Sequence, residues 1–158
     1  MRWKIKRRHS SKVRSTPALV QAATSHCLQA QIPLGDLSGW HTRLTGQLHI
    51  NGSKWQQGTT CRYRLPTDNA SQRVLRIGVL DYCVLVPSDG GEDVLMACVI
   101  ESRLSNRING FDVVDVTHAS PRTSFLHISH IVSLVMFASY WEHQARHLKV
   151  VLHVSNNR

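Results

Sequence analysis

The most informative part of the sequence is Arg73–Val86, RVLRIGVLDYCVLV, followed after a short interval by Val94–Glu101, VLMACVIE. Both runs are rich in Val, Leu and Ile, and the interval between them, PSDGGED, consists of turn-forming residues. Two such runs around a turn predict a pair of antiparallel strands. The first run is too long for one flat strand, so we expect a bend or bulge at Gly78.

Shorter runs of the same character lie on both sides of this pair. Asn51-Gly52 follows one of them and is a strong hairpin signal. In Thr59–Leu65 charged and uncharged side chains alternate, which places Arg62 and Arg64 on one strand face and Tyr63 on the other. Further strands are predicted at Phe111–Val116, Phe125–Phe137 and Leu148–Val154. The spacing predicts a mainly β fold, a small antiparallel barrel or sandwich of about six to eight strands.

One helix is predicted before the strands. Thr16 is a good N-cap and Pro17 is well placed at the first helical position, while Pro33 ends the segment. Ala138–His147 is the one other stretch that we expect could be helical. We therefore divide the chain into a basic disordered arm (1–14), a short helix and linker (15–38) and a β-rich globular domain (39–158).

The charge of the chain is concentrated at its N-terminus. Residues 1–35 contain no acidic residue and hold seven basic ones: Arg2, Lys4, Lys6, Arg7, Arg8, Lys12 and Arg14. Residues 36–158 hold the other 12 basic residues and all 10 acidic ones, so the net charge of +9 divides into +7 and +2. The high isoelectric point is thus a property of the arm, and the remainder is close to neutral.

An acid-free basic arm is typical of proteins that neutralise phosphates. Such an arm releases counterions from nucleic acid and binds it with a steep salt dependence. Two other interpretations stay open, a nuclear localisation signal and a mitochondrial transit peptide, which has a similar composition.

A second basic set is predicted on the body of the protein. Its members are Lys54, Arg62, Arg64, Arg73 and Arg76, with Trp55 as a nearby aromatic. A basic sheet face beside an exposed aromatic side chain suits single-stranded nucleic acid. The alternative is an ordinary solvated sheet face.

No arrangement of residues predicts an enzyme. His143 and His147 are four apart, as zinc ligands on a helix often are, but Gln144 stands where a hydrolytic zinc helix needs Glu. His127 and Ser129 alternate on a strand without the sequence context of a catalytic serine. The sequence also lacks paired acids, a phosphate-binding loop and a dinucleotide fingerprint. We expect no cofactor, no metal and no catalysis.

The cysteines do not support a zinc site built on close cysteine pairs, and the apolar runs do not support a membrane-spanning protein. Cys27, Cys61, Cys83 and Cys98 form no C-x-x-C pair, so we interpret them as buried thiols in a reducing compartment. The longest apolar run, residues 131–141, is shorter than the roughly 18 residues that a membrane-spanning helix needs. We expect no membrane span.

The order of the strands resembles a β-rich segment of transposable-element proteins, those associated with transposases of the Kyakuja–Dileera–Zisupton type. The residues that carry the resemblance are NGSKW (51–55), TCRYR (60–64), RIGVLDYCVLV (76–86), VLMACVIE (94–101), VVDV (113–116), HISHI (127–131) and VVLHVSN (150–156). The resemblance implies a non-catalytic accessory module of a mobile-element protein. The catalytic acids of such transposases have no counterpart among these residues.

These observations favour a nucleic-acid or chromatin-associated binding module in the nucleus or elsewhere inside the cell. The arm would contact phosphates, and the β domain could bind a protein partner. Two alternatives remain: a small viral coat-like protein with an RNA-binding arm, and an organellar, for example mitochondrial, protein with an N-terminal targeting segment.

Overall fold

Most of the described chain is β-strand. The computed structural model describes residues 3–5, 10–44, 47–50, 52–66, 75–89, 91–115, 122–142 and 146–152. Within these ranges the elements are β1 (Trp3–Ile5), β2 (Ser10–Arg14), α1 (Pro17–Ala30), β3 (Trp40–Leu44), β4 (Leu48–Ile50), β5 (Ser53–Trp55), β6 (Thr60–Tyr63), β7 (Arg76–Val86), β8 (Val94–Glu101), β9 (Arg103–Ile108), β10 (Phe111–Asp115), β11 (Thr123–His127), a 3-10 helix (Ile128–His130), β12 (Ile131–Leu134), β13 (Met136–Glu142) and β14 (Arg146–Leu152).

The strands form three antiparallel sheets. The largest has the order β11-β8-β7-β3-β2, and β6 and β12 extend it beside β7. A second sheet has the order β13-β14-β10-β9, and the third consists of β1, β4 and β5. The predicted mainly β class is confirmed. The predicted barrel is wrong for the described residues, which form no closed barrel, and their fourteen strands exceed the six to eight expected.

The long strand β7 has partners on both of its edges. One edge of β7 pairs with β8 along nearly its whole length. The other edge is long enough for two short partners end to end, β6 beside residues 76–79 and β3 beside residues 83–85. The register between β7 and β8 shifts between Leu80 and Tyr82, so the irregularity lies just after Gly78.

Each face of the large sheet has its own buried cluster. One face contributes Cys61, Leu80 and Val99 to a core that also contains Leu48 and Trp55 of the β4–β5 hairpin. The other face contributes Val84 and Met96 to a cluster with α1. Burial of apolar side chains on both faces is the main stabilising term for such a sheet.

Helix α1 begins as the sequence predicts and ends shortly before the predicted stop at Pro33. The hydroxyl of Thr16 accepts a hydrogen bond from the Leu19 amide at 3.3 Å, and Pro17 occupies the first turn. Leu19, Ala23 and Cys27 lie one turn apart and are buried against the sheet. The helix ends at Gln31, whose left-handed φ of 56° turns the chain toward Pro33. In the described residues no helix is long and apolar enough to cross a membrane.

Two local predictions are corrected. Residues 3–5 and 10–14 belong to the predicted disordered arm, yet they form β1 and β2, because β4 and β3 offer them antiparallel partners. Ala138–Glu142 falls in the stretch considered for a helix, yet it lies in β13 and pairs with β14. The strand-forming sequence HLKVVL of β14 outweighs the helical preference of Ala and Glu in β13.

Candidate nucleic-acid interface

The large sheet places two cations of the arm, Lys12 and Arg14, beside a tryptophan. Antiparallel register sets Lys12 opposite Thr42 and Arg14 opposite Trp40, and directly paired residues share a face. We call Lys12, Arg14, Trp40 and Thr42 the β2–β3 face. Val13, which lies between Lys12 and Arg14, points the other way and packs against the cluster of α1.

Trp40 is the exposed aromatic of this face. Its side chain is 61% exposed, and the Arg14 guanidinium carbon lies 5.9 Å from the centre of its ring. This distance allows a cation–π contact, which holds the cation beside the ring. Lys12 and Arg14 are exposed as well, and none of the four residues of the face is acidic. The face therefore offers positive charge and an aromatic surface to solvent.

Hydrogen bonds fix the junction between β2 and β3. The amide of Ser15 donates to the Gly39 carbonyl at 2.8 Å, and the Ser15 hydroxyl donates to the Leu37 carbonyl at 2.7 Å. The buried His41 ring then lies with Nε2 3.1 Å from the Ser15 hydroxyl oxygen. These contacts hold Arg14 and Trp40 side by side on a defined backbone.

The other predicted site residues are not gathered into one face. Lys54 lies on the exposed outer side of the β4–β5 hairpin, in a register row with His49 and Lys4. Arg62 is half-buried on β6. Arg64 is exposed just after that strand, and its amide donates to the His130 carbonyl at 3.0 Å.

Arg76 and the aromatic residue of the second basic set also differ from the prediction. Arg76 forms an ion pair with Glu101, whose carboxylate is 3.3 Å away, so its charge is compensated. Tyr63 is buried as predicted, but Trp55 is also buried, with 6% exposure. The exposed aromatic expected beside Arg62 and Arg64 is thus absent there. Arg2, Lys6, Arg7, Arg8 and Arg73 lie outside the described residues.

Trp40 was missed by the sequence reasoning. It follows Gly39, at the start of an ordinary short strand, and nothing local distinguishes it. The informative fact is its pairing with Arg14, and α1 separates the two strands along the chain. Alternation around Trp40 could have indicated one exposed face, but not its basic neighbour.

A cluster of three histidines joins α1 to β11. The rings of His26 and His127 stack with centroids 3.8 Å apart and planes 8° from parallel. His127 Nδ1 accepts hydrogen bonds from the Ser129 amide at 3.2 Å and the Ser129 hydroxyl at 2.7 Å. Burial, and secondarily the nearby His26 and His130, lower the pKa of His127 to about 4. Through this contact His127 caps the start of the 3-10 helix. Because Nδ1 accepts the hydrogen bond from the Ser129 amide, the ring is neutral.

Because of this low pKa, stability is expected to fall as the pH is lowered from about 7 to about 4. Between the ordinary value of 6.5 and about 4, the unfolded state binds the His127 proton and the folded state does not. We expect a loss of about 1–2 kcal/mol, less than the full shift implies because the ring is partly exposed. Urea denaturation across this pH range measures it. His127→Asn keeps a capping acceptor and should flatten the profile; equal pH profiles would contradict the assignment.

The cysteines are not poised for chemistry. All four are free and buried, and burial raises the pKa of the Cys61 and Cys83 thiols to about 12. A protonated buried thiol is neither a nucleophile nor a metal ligand. Among the described residues, no group of three or more His, Cys, Asp or Glu side chains is placed to hold a metal ion.

A cleft of about 390 Å³ lies between the end of α1 and the loop before β8. Glu92 and Asp93 are among its lining residues, together with His127. Its charged side chains are carboxylates, and the His127 ring is neutral at pH 7. The cleft therefore repels phosphates, and the β2–β3 face is the better candidate for an anionic ligand.

The comparisons with known proteins add no relative. No family model matches the chain, and no curated protein or solved structure gives a significant match.

Proposed function

We propose that this chain is a non-catalytic nucleic-acid-binding module. Its basic N-terminal residues and the β2–β3 face would contact phosphates, and the rest of the fold would hold that face in place. The observation that carries the proposal is the β2–β3 face itself. Lys12 and Arg14 are exposed beside the exposed Trp40, and they continue a segment with five more cations and no acid.

The placement of charge supports nucleic acid as the ligand. The nearest acid in sequence, Asp36, has an oxygen that accepts hydrogen bonds from the Ser38 amide and hydroxyl, at 2.9 and 2.6 Å. It therefore has local partners other than Lys12 and Arg14. Exposed cations gain most from a partner that carries many closely spaced charges, which is the property of a phosphate backbone.

The proposal is tested by the salt dependence of binding. If about six phosphates are neutralised, the logarithm of the affinity for single-stranded DNA should fall with the logarithm of salt at a slope of about −4. Replacing Arg2, Lys6, Arg7 and Arg8 with Gln removes four charges and should reduce that slope to about −1.4. Fluorescence anisotropy with a labelled oligonucleotide measures both. Point substitutions are preferred because removing residues 1–35 would also delete β1, β2 and α1.

Two results would overturn the proposal. One is no binding of DNA or RNA at low salt by the full chain. The other is complete competition by a polyglutamate peptide at equal charge concentration, which would make an acidic protein the partner. Identical salt slopes for the full chain and its four-site variant would show that these four arm residues do not contact phosphates.

A further inference from the structure

The side chain of Trp40 is exposed and is not part of the buried core. Its 61% exposure contrasts with the 6% exposure of Trp55, which is buried in the core of the large sheet. A tryptophan can bury roughly 150–250 Å² of surface, so leaving it in water forgoes much of the stabilisation that it could give. The exposed ring is therefore available to contact a ligand.

The ring is held ready on a fixed backbone. Trp40 is the first residue of β3 and is in register with Arg14. The preceding Gly39 has a φ of +96° and is held by the hydrogen bond from the Ser15 amide. Since a Cβ at Gly39 would meet nothing within 4 Å, the approach to the start of β3 is open. A ring placed in this way loses little conformational freedom when it binds.

The cations around the ring are spaced for a single strand. Lys12 and Arg14 are two residues apart on β2, which is about 7 Å along a strand. This is comparable to the separation of successive phosphates in an extended nucleic-acid strand. Arg14 also lies beside the Trp40 ring, so a base stacked there would have a phosphate partner close by.

A duplex cannot use this arrangement fully. The faces of its bases are covered by their neighbours in the stack, and a side chain on a sheet surface reaches only the phosphates. A single strand presents unstacked bases, and base–aromatic stacking contributes to affinity without requiring a particular sequence.

We infer that the β2–β3 face selects single-stranded nucleic acid, with a base stacked on Trp40 and the adjacent phosphates bound by Lys12 and Arg14. The inference rests on the proposed function and specifies its ligand. DNA and RNA share the stacking and phosphate chemistry, so both are ligands of this face.

The test compares the full chain with Trp40→Ala and Trp40→Phe. The probes are an oligo(dT) and an oligo(U) of about 20 nucleotides and a duplex of equal length, at one salt concentration. The full chain should bind the single strands about tenfold more tightly than the duplex. Trp40→Ala should weaken single-strand binding about tenfold to a hundredfold and leave duplex binding nearly unchanged. Trp40→Phe, which keeps an aromatic ring, should retain most of the affinity.

Two controls separate stacking from other effects. Met136→Ala removes a side chain of similar exposure, 62%, from the four-stranded sheet and should leave binding unchanged. The salt slope of Trp40→Ala should equal that of the full chain, because stacking releases no counterions. A reduced slope would mean that phosphate contacts were lost instead, and would count against the stacking role.

The outcomes distinguish this inference from the proposed function. Equal affinity for single strands and duplex, with no effect of Trp40→Ala on either, overturns the inference and leaves phosphate binding intact. Failure of the full chain to bind any of the three probes overturns both.

Discussion

Replacing Lys12 and Arg14 with glutamate is expected to lower the affinity of the full chain for oligo(dT) by about a hundredfold near 100 mM salt. Each reversal removes an attraction to phosphate and introduces a repulsion. At contact distance each term is about 1 kcal/mol in water, and salt screening reduces the total below the simple sum. Because both side chains are exposed, the fold should be unaffected. Anisotropy titrations measure the affinity, and circular dichroism checks the fold.

The matched control reverses two cations elsewhere. Lys54→Glu with Arg64→Glu makes the same change in net charge at exposed positions of the second predicted basic set. We expect this variant to lose no more than about threefold, through long-range electrostatics alone. If it loses as much as the Lys12 and Arg14 variant, binding follows net charge and the β2–β3 face is not the site.

Gly78→Ala adds only one methyl group, yet we expect it to lower the free energy of unfolding strongly. A Cβ at residue 78 would lie 2.6 Å from Val99 Cγ1, 2.7 Å from the Ile100 carbonyl oxygen and 2.8 Å from Tyr63 Cε1. The carbonyl belongs to the paired strand β8 and cannot move without disturbing the sheet. We expect a loss of about 3 kcal/mol in the free energy of unfolding. Thermal unfolding should show a fall of about 10 °C in the melting temperature.

The control for this substitution is a glycine with space around it. Gly52 has a φ of +82°, and a Cβ there would meet nothing within 4 Å. Asn tolerates this conformation better than other residues, so Gly52→Asn should cost no more than about 1 kcal/mol. A melting temperature for Gly78→Ala within a degree or two of the unchanged chain would show that β6, β7 and β8 are not packed as closely as described.

Features set by local chemistry could be predicted from the sequence. The start of α1 at Thr16-Pro17 and the inward orientation of Tyr63 follow from capping preference and from strand alternation. The strand pair β7–β8 follows from two apolar runs around a turn. In each of these cases the deciding residues are close together in the chain.

Features set by long-range pairing could not be predicted. β2 contains Ser, Lys and Arg, and it is a strand because β3 pairs with it across the whole of α1. The same pairing brings Trp40 to Arg14, and it was invisible to any local pattern. Trp55 shows the opposite error. It was expected to be exposed beside charged residues, but the β4–β5 hairpin places its ring in the core.

Two-dimensional NMR of the isotope-labelled full chain locates the bound nucleic acid on the protein, and we expect it on the β2–β3 face. Addition of oligo(dT) should shift the backbone amides of Lys12, Arg14 and Thr42 and the indole N–H of Trp40, with smaller changes in the four-stranded sheet. Shifts centred on Lys54, Arg62 and Arg64 with Trp40 unchanged, or no shifts at saturating oligonucleotide, would contradict it.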